Sequence, residues 1–404
     1  MKTSINIAII GAGAAGLMAA ITAKEQRPNA SVSIFEKTNK ALAKVIVSGG
    51  GRCNITNATF SISKLIKNYP RGGKELKKSF TYFNPKHTVK WFESKGVKLK
   101  TEADNRMFPQ SNSSQTIVDV LLNTAKKLDI KIIYKSNVSD IKPVNNNILL
   151  NINKENLIFD KVIIASGGSS KLNGLDFLNK LNYKIVNPLP SLFTFNMPNN
   201  SITKLMGLSI NNVIVSIKKS KLKENGSLLI THWGMSGPAI LKLSAWGAQE
   251  LARQNYDFSI GINWVNNNEE ELRAEFEKLS LSNKLVYNFN PFNIPKRLWI
   301  FLLDKLDISE SQTWKSLSKK NKNKLINTLI NDQYSVLGKT TFKEEFVTCG
   351  GVDLAEVNLS TMQSKHHKNI FFAGEVLNID GITGGFNFQA AWTTGYLAGK
   401  NSVL

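Results

Sequence analysis

The stretch I-I-G-A-G-A-A-G-L, residues 9–17, decides the fold. An apolar run before it predicts a strand over residues 5–10, and the residues after it predict a helix over 14–24. The glycines that separate strand from helix are Gly11, Gly13 and Gly16. This spacing permits a tight turn, close approach of a ligand to the backbone, and close packing of the helix.

A second predicted strand, residues 31–35, ends at Glu36, twenty residues beyond Gly16. Strand, glycine turn, helix and acid in this register form a dinucleotide-binding fingerprint, in which the helix N-terminus binds a pyrophosphate. Glu36 would bind ribose hydroxyls and repel a 2′-phosphate. The unit therefore predicts an α/β fold with a Rossmann-like domain that holds FAD or NAD rather than NADP.

The charge of the chain suggests an anionic partner, but its distribution argues against a nucleic acid. The formal net charge is +22 over 404 residues. Residues 189–340 hold 19 Lys and Arg against 12 Asp and Glu, which leaves 33 against 18 elsewhere. The excess of positive charge is therefore not confined to either portion. The densest run, residues 318–324, fits a solvated helix face. The even distribution therefore disfavours nucleic-acid binding without excluding it, and the oligomeric state stays open.

Cysteine and histidine usage indicates a cytoplasmic protein without a metal. The two cysteines, Cys53 and Cys349, form no disulfide framework, and packing is their expected role. His366 and His367 are adjacent and poorly arranged to chelate, so no metal is assigned. The uncharged residues 5–23 could be taken for a membrane span, but their glycines favour a strand–turn–helix, and no other stretch is long enough.

Seven further motifs support the fingerprint, and together they resemble one family. In chain order, the motifs are VSGGGRCNITN, NRMFPQSNSS, ASGG, LPSL, THWGMSGPAIL, CGGVDLAEVNLSTMQSK and FFAGEVLNIDGITGGFNFQAAWTTGYLAG. Over most of its length the chain is similar to the bacterial BaiN/RdsA-type (YhiN-like) NAD(P)/FAD-dependent oxidoreductases, which include aminoacetone oxidase. Just upstream of VSGGGRCNITN, members of that family commonly have an Arg and a Lys. This chain has the Lys, Lys44, but lacks the Arg.

The resemblance implies a glutathione-reductase-type FAD domain, discontinuous in sequence, with an inserted mixed β/α region. With the proline-rich break at residues 186–195, this predicts an FAD domain over 1–188 and 340–404, a β-rich lobe over 189–265 and a helical lobe over 266–339. The cofactor-binding residues expected are Gly11, Gly13, Ala14, Ala15, Gly16, Glu36, Lys37, Lys44, Ser48, Gly49, Gly50, Gly51, Arg52, Cys53, Asn54, Val138, Ala165, Ser166, Gly167, Gly374, Glu375, Asp380, Gly384, Gly385, Phe386 and Asn387.

Two of these motifs carry specific expectations. The triple glycine of residues 49–51 would let amides reach an anion, and Arg52 could bind that anion, hold a substrate carboxylate, or only pin the loop. The helix expected after Gly385 would direct its amides at the flavin ring and raise its potential. His232 could be an acid or base, but a capping or packing role is favoured.

The expected reaction is hydride transfer at the flavin with a small organic substrate. No second glycine fingerprint follows Gly16. NAD(P)H therefore remains open as a transient donor, and so does an amine oxidase that uses dioxygen. A basic flavoprotein that binds or modifies RNA is the alternative from another class. No catalytic residue is assigned.

Overall fold

The computed structural model describes residues 4–169, 171–340 and 347–404. The chain divides into two compact units, residues 1–191 with 342–404 and residues 192–341. The proline-bearing strand Ile185–Ser191 pairs antiparallel with Val347–Val352 within the first unit. A division of the inserted region near residue 265 stays a prediction.

The first unit is built on a seven-stranded sheet. In spatial order, its strands are Val357–Asn358, Gln363–Ser364, Ile370–Phe372, Lys161–Ile164, Asn6–Ile10, Ser31–Phe35 and Lys131–Ile133. The last five are mutually parallel, and the first two join them through antiparallel pairs. Almost every residue of Asn6–Ile10 is buried, as expected of a central parallel strand. The predicted α/β fold with a Rossmann-type domain is confirmed.

Two helices of this unit pack closely in the same direction. Ala14–Gln26 is apolar on nearly all sides, and Phe386–Ser402 lies against it. A Cβ at Gly395 would collide with the carbonyl oxygen of Ala15, and one at Gly399 with that of Ala19. Contacts that advance by four residues on both helices mean that the helices run parallel. At 1.5 Å per residue, Phe386–Ser402 begins about 15 Å before the level of Ala15.

Smaller elements complete the first unit. Its other helices are Ala43–Gly51, Ile62–Leu65, Lys77–Tyr82, Pro85–Ser94, Ser114–Lys127 and Asp176–Asn179. One three-stranded sheet contains Thr56–Asn57, Arg106–Pro109 and Leu99–Thr101, and another contains Val138–Val144, Asn147–Ile152 and Glu155–Phe159. Asn84 and Ser113 cap the helices Pro85–Ser94 and Ser114–Lys127, because their side chains accept hydrogen bonds from backbone amides of the first turn.

The second unit is an antiparallel sheet with helices. Its seven strands, in spatial order, are Asp332–Leu337, Asp257–Asn263, Ser209–Ile217, Lys223–Thr231, Gly234–Ser236, Thr194–Asn196 and Lys339–Thr340. Its helices are Pro238–Trp246, Ala248–Arg253, Glu269–Leu279, Lys296–Lys305 and Lys319–Asn331. Alternate residues of the strands join a core with the buried rings of Phe276, Trp299 and Trp314. None of the helices in the described ranges is long and apolar enough to cross a bilayer.

Candidate functional site

The glycine turn leaves a helix N-terminus open. Gly13 is the N-cap of Ala14–Gln26, and no side chain caps the first amides there. A Cβ on Gly13 would meet no atom within 4 Å. At Gly11 and Gly16, by contrast, a Cβ would collide with backbone atoms, and Gly11 has φ +104°. Gly11 and Gly16 are thus required by the fold, whereas Gly13 borders open space.

Glu36 holds this turn from the end of the neighbouring strand. Its Oε2 accepts a hydrogen bond from the Ala12 amide at 2.9 Å, and its Oε1 accepts one from the Thr38 amide at 2.8 Å. The carboxylate therefore lies beside the turn, as the fingerprint predicts. Lys37 follows it on the exposed surface.

The triple-glycine loop, residues 47–57, interrupts the helix Ala43–Gly51. The three glycines have φ values of +59°, +67° and +79°, in the left-handed region that side chains disfavour. A Cβ at Gly50 or Gly51 would meet nothing within 4 Å, whereas one at Gly49 would lie 3.1 Å from the amide nitrogen of Asn54. The space beside Gly50 and Gly51 is therefore open, so a ligand could approach the backbone there.

Arg52, which follows the three glycines, is engaged by residues outside the loop. Its Nη1 donates to Oε1 of Glu102 at 2.7 Å, and its guanidinium lies 4.1 Å from the centre of the Phe108 ring. Glu102 also accepts from Arg106 at 3.1 Å. Of the three roles expected for Arg52, these contacts fit that of pinning the loop to the neighbouring three-stranded sheet.

The same loop is joined to the start of helix Phe386–Ser402. Nδ2 of Asn57 donates to the carbonyl oxygen of Gly384 at 3.0 Å, and Nε1 of Trp392 donates to that of Ile55 at 2.8 Å. Gly385 has φ +92°, and a Cβ there would lie 2.5 Å from the Thr56 carbonyl oxygen and 2.8 Å from Oδ1 of Asn54. The two motifs, over 300 residues apart in sequence, thus form one surface.

Buried hydroxyls that the sequence did not indicate support this junction. Thr56 and Thr88 both donate to Oε1 of Gln389, at 2.6 and 2.9 Å, and Nε2 of Gln389 donates to Thr393. All four side chains are buried. Thr56 and Gln389 both lie in quoted motifs, but nothing in the sequence pairs them, because Thr56 and Thr88 lie more than 300 residues from Gln389.

Helix Phe386–Ser402 has a second uncapped N-terminus. Its N-cap is Gly385, and no side chain caps it. Asn387 instead folds back, with Oδ1 accepting from the Gly381 amide at 2.8 Å and Nδ2 donating to the Gly381 carbonyl at 2.9 Å. The carbonyl oxygen of Phe386 accepts from the buried Tyr69 hydroxyl at 2.8 Å. The helix entry is therefore rigidly held, with its first amides open.

Glu375 connects three parts of the first unit. Its Oε2 accepts from Nζ of Lys44 at 2.6 Å, and its Oε1 accepts from the Thr348 amide at 2.8 Å. Gly374 lies beside the first helix, because a Cβ there would meet the Ala15 side chain at 2.7 Å. Lys44 and Glu375, both expected at the cofactor, are therefore paired with each other.

Asp380 is fully buried and engaged. Arg71 contacts both of its carboxylate oxygens, and the Ser191 hydroxyl donates to Oδ2 at 2.7 Å. Burial raises the pKa of Asp380, while Arg71 and Ser191 oppose that rise. Any effect of Asp380 on a ligand would therefore pass through Arg71, which the sequence did not single out.

Four more of the predicted cofactor-binding residues lie in two different parts of the first unit. Ala165, Ser166 and Gly167 follow strand Lys161–Ile164 beside the glycine turn. Val138 begins the first strand of the three-stranded sheet that also contains Asn147–Ile152.

Three further side chains of the quoted motifs could carry chemistry: Cys53, Cys349 and His232. Cys53 and Cys349 are free and buried, and burial raises the pKa of Cys53 to about 12 and that of Cys349 to about 11. Both thiols are therefore protonated at neutral pH. His232 is exposed and packs edge-on against Trp233. Among residues 4–169, 171–340 and 347–404, no cluster of three His, Cys, Asp or Glu side chains could hold a metal.

With this geometry defined, residues 5–401 match the family described as HI0933-like protein Rossmann domain. The chain belongs to the HI0933-like family. Its relatives include the "Ribosomal RNA dihydrouridine synthase" of Escherichia coli, which is 29% identical over 98% of this chain and 97% of that protein. The "3-dehydro-bile acid delta(4,6)-reductase" of Clostridium scindens is 26% identical over 98% of each chain.

A solved structure similar to this HI0933-like chain is a 3-ketosteroid delta1-dehydrogenase from Sterolibacterium denitrificans. Its TM-score is 0.52 at 10% identity, with 98% of this chain and 99% of that chain covered. At this identity, the likeness concerns the fold alone. The family recognised from the motifs is confirmed, and so is the class of an FAD-dependent oxidoreductase.

Proposed function

We propose that this HI0933-like protein binds FAD along its first unit and uses it to reduce a carbon–carbon double bond conjugated to a carbonyl, with uridine in RNA as the substrate. The observation that carries the cofactor site is the pair of uncapped helix N-termini, at Gly13 and Gly385. Both belong to parallel helices, and they are offset by about 12 Å along the helix direction, because Gly385 lies ten residues before Gly395 and Gly13 lies two before Ala15.

The residues present fit such a cofactor. The open space beside Gly13, Gly50, Gly51 and Gly167 would admit a pyrophosphate to backbone amides, and the helix N-terminus adds positive potential. Glu36 offers a carboxylate to ribose hydroxyls. The second helix N-terminus, after Gly385, would favour negative charge on the flavin end of the bound cofactor. An elongated dinucleotide matches this spacing better than a compact ligand.

When bound in its reduced form, FAD supplies a hydride to the carbon β to the carbonyl, and a proton then completes the α carbon. The chain would contribute orientation and electrostatics. Amides after Gly385 would stabilise an electron-rich ring held there, and the network of Gln389 and Asn57 holds that helix entry in place. Arg71 and Asp380 neutralise each other close to the same segment.

The proposed reaction is the type that the names of two relatives have in common. A dihydrouridine synthase saturates a ring double bond conjugated to a carbonyl, and a delta(4,6)-reductase of a 3-dehydro bile acid does so in a steroid ring. The net charge of +22 favours the polyanionic substrate over the bile-acid-like one. A small conjugated ketone remains the second candidate, supported by the reductase relative.

The test begins with anaerobic reduction of the purified flavoprotein by NADH or NADPH, followed near 450 nm. Reoxidation is then measured with an rRNA transcript, with a small conjugated ketone, and with neither. We expect the transcript to reoxidise the flavin and to gain two hydrogens per modified uridine by mass spectrometry. Reoxidation by the ketone alone would favour the second candidate. Bleaching by small amines with rapid reoxidation by dioxygen would instead identify an amine oxidase and overturn the proposal.

A further inference from the structure

The net charge of the chain is concentrated in one segment of the first unit. Residues 60–100 contain eleven Lys and Arg against two Glu, a net charge of +9 in 41 residues of a chain with +22 in 404. The even split of charge between residues 189–340 and the rest of the chain does not reveal this excess, because the segment is averaged with the other residues of the first unit. Asp380 and Glu25, which lie outside the segment, pair with Arg71 and Lys95, and the remaining excess makes the segment locally positive.

The helices of this segment bury their apolar sides and expose their lysines. On Pro85–Ser94, Thr88 and Phe92 are buried, while Lys86 and Lys90 are exposed one turn apart. On Lys77–Tyr82, Ser79 and Phe80 are buried instead. We call the exposed side the basic face and define it by six exposed lysines: Lys64, Lys74, Lys77, Lys78, Lys86 and Lys90. Within the described ranges, no ion pair involves any of the six.

Two large aromatic side chains are exposed among these lysines. The exposed fraction is 40% for Phe60 and 47% for Tyr82. Nζ of Lys86 lies 5.8 Å from the centre of the Phe60 ring, which joins that ring to the helix Pro85–Ser94. Ile62–Leu65 packs against Lys77–Tyr82, so the parts of the basic face are contiguous.

The basic face is braced against the proposed cofactor helix. Both Lys77–Tyr82 and Pro85–Ser94 pack against Phe386–Ser402. Phe83 stacks on Tyr396 with ring centres 4.5 Å apart, and Thr88 contributes to the buried network at Gln389. The basic face is therefore rigidly linked to the helix whose N-terminus borders the proposed reaction site.

We propose that the basic face binds the backbone of single-stranded RNA and that Phe60 and Tyr82 stack on unpaired bases. This inference rests on the proposed RNA substrate and adds the surface that recognises it. Lysines that form no ion pair can neutralise phosphates, and exposed rings between them provide stacking platforms. An anionic membrane is disfavoured, because only these two large apolar side chains are exposed in the segment, without an apolar stripe.

The test compares two triple variants of the full-length flavoprotein. The first is Lys77→Glu with Lys78→Glu and Lys86→Glu. The matched control is Lys319→Glu with Lys320→Glu and Lys324→Glu, three exposed lysines of the second unit that form no ion pair within the described residues. Binding to a labelled oligouridine of about 20 nucleotides is followed by fluorescence anisotropy at several salt concentrations. FAD content and melting temperature verify that each variant is folded.

We expect the first variant to bind at least about ten-fold more weakly, and its slope of log affinity against log salt to fall by about 2, which corresponds to three lost phosphate contacts. The control should retain the wild-type slope. Tyr82→Ala, which keeps every charge, should lose about five-fold or more through lost stacking. Equal weakening of both triple variants would overturn the basic face as the site, and so would binding that no variant changes.

The outcomes distinguish this inference from the proposed function. If the wild type reduces uridine in RNA but the variants of the basic face bind like wild type, only the surface is wrong. If the wild type binds no oligouridine and reduces only a small ketone, the RNA substrate itself is wrong, and the basic face is overturned with it. Binding of the wild type to anionic vesicles but not to oligouridine would also overturn the inference.

Discussion

At the scale of single residues, the structure separates side chains that touch open space from those that hold the protein together. Arg52 belongs to the second group, because Glu102 and the Phe108 ring take up its guanidinium. Its contribution to the cofactor would therefore be indirect, through the position of the amides of Gly50 and Gly51.

Arg52→Ala and Glu102→Gln should weaken FAD binding to a similar extent. The ion pair is partly exposed and contributes about 1 kcal/mol at most, so we expect up to about a five-fold rise in the FAD dissociation constant. The double variant should be no worse than Arg52→Ala. Asp104→Asn, which removes a contact of Arg106 only, is the control. An Arg52→Ala enzyme with normal FAD affinity and impaired turnover would instead indicate a contact with the substrate.

The buried thiol of Cys53 should make the free energy of unfolding depend on pH in the alkaline range. Its pKa is about 12 in the fold, against an ordinary value of 9.0. The folded state therefore holds a proton that the unfolded state releases. The resulting stability is complete below about pH 9 and is lost as the pH rises toward about 12, with a limiting slope of about 1.4 kcal/mol per pH unit.

Urea unfolding from about pH 8 to about pH 10.5 measures this effect. The free energy of unfolding of the wild type should fall more steeply with pH than that of Cys53→Ala. Parallel profiles would contradict the burial of the thiol, as would rapid alkylation of Cys53 in the native protein at neutral pH.

At the scale of elements, the glycine turn lets the needs of the fold be separated from those of a ligand. Gly13→Ala adds a methyl group where nothing lies within 4 Å, at an ordinary backbone conformation, so the apoprotein should keep its stability. The methyl group would occupy the space left for the pyrophosphate. We expect loss of most bound FAD with an almost unchanged urea midpoint for the apoprotein.

Gly16→Ala is the matched change with the opposite expectation. Its Cβ would collide with the Gly11 carbonyl oxygen, so the apoprotein itself should be destabilised by several kcal/mol. If Gly13→Ala retains FAD at wild-type affinity, the proposed cofactor position at this turn is wrong.

The elements that could be predicted from sequence are those whose signals are local. Glycine spacing and apolar runs predicted the first βαβ unit within two residues of its observed bounds. Arg71 with Asp380, and Thr56 with Gln389, are partners more than 300 residues apart. Only packing of the complete unit brings them together, so no local pattern could have indicated them.

At the scale of the whole molecule, the excess of positive charge should oppose folding through self-repulsion. Added salt screens this repulsion, with a Debye length that falls from about 14 Å near 0.05 M to about 4 Å near 0.5 M. With FAD present in excess, we expect the melting temperature to rise by a few degrees between these concentrations of NaCl. The triple variant of the basic face should respond less than wild type, and a flat or falling profile in the wild type would contradict the expectation.

The parallel packing of Phe386–Ser402 on Ala14–Gln26 also constrains biosynthesis. The first unit is assembled from segments at both ends of the described chain, whereas the second unit is continuous in sequence. On a ribosome that adds about 5–20 residues per second, the glycine turn would wait about 20–75 s for the helix that packs against it. The second unit can fold during that interval. We therefore expect the proposed FAD site to be completed only after residues 386–402 have been synthesised, with the glycine turn unpacked until then.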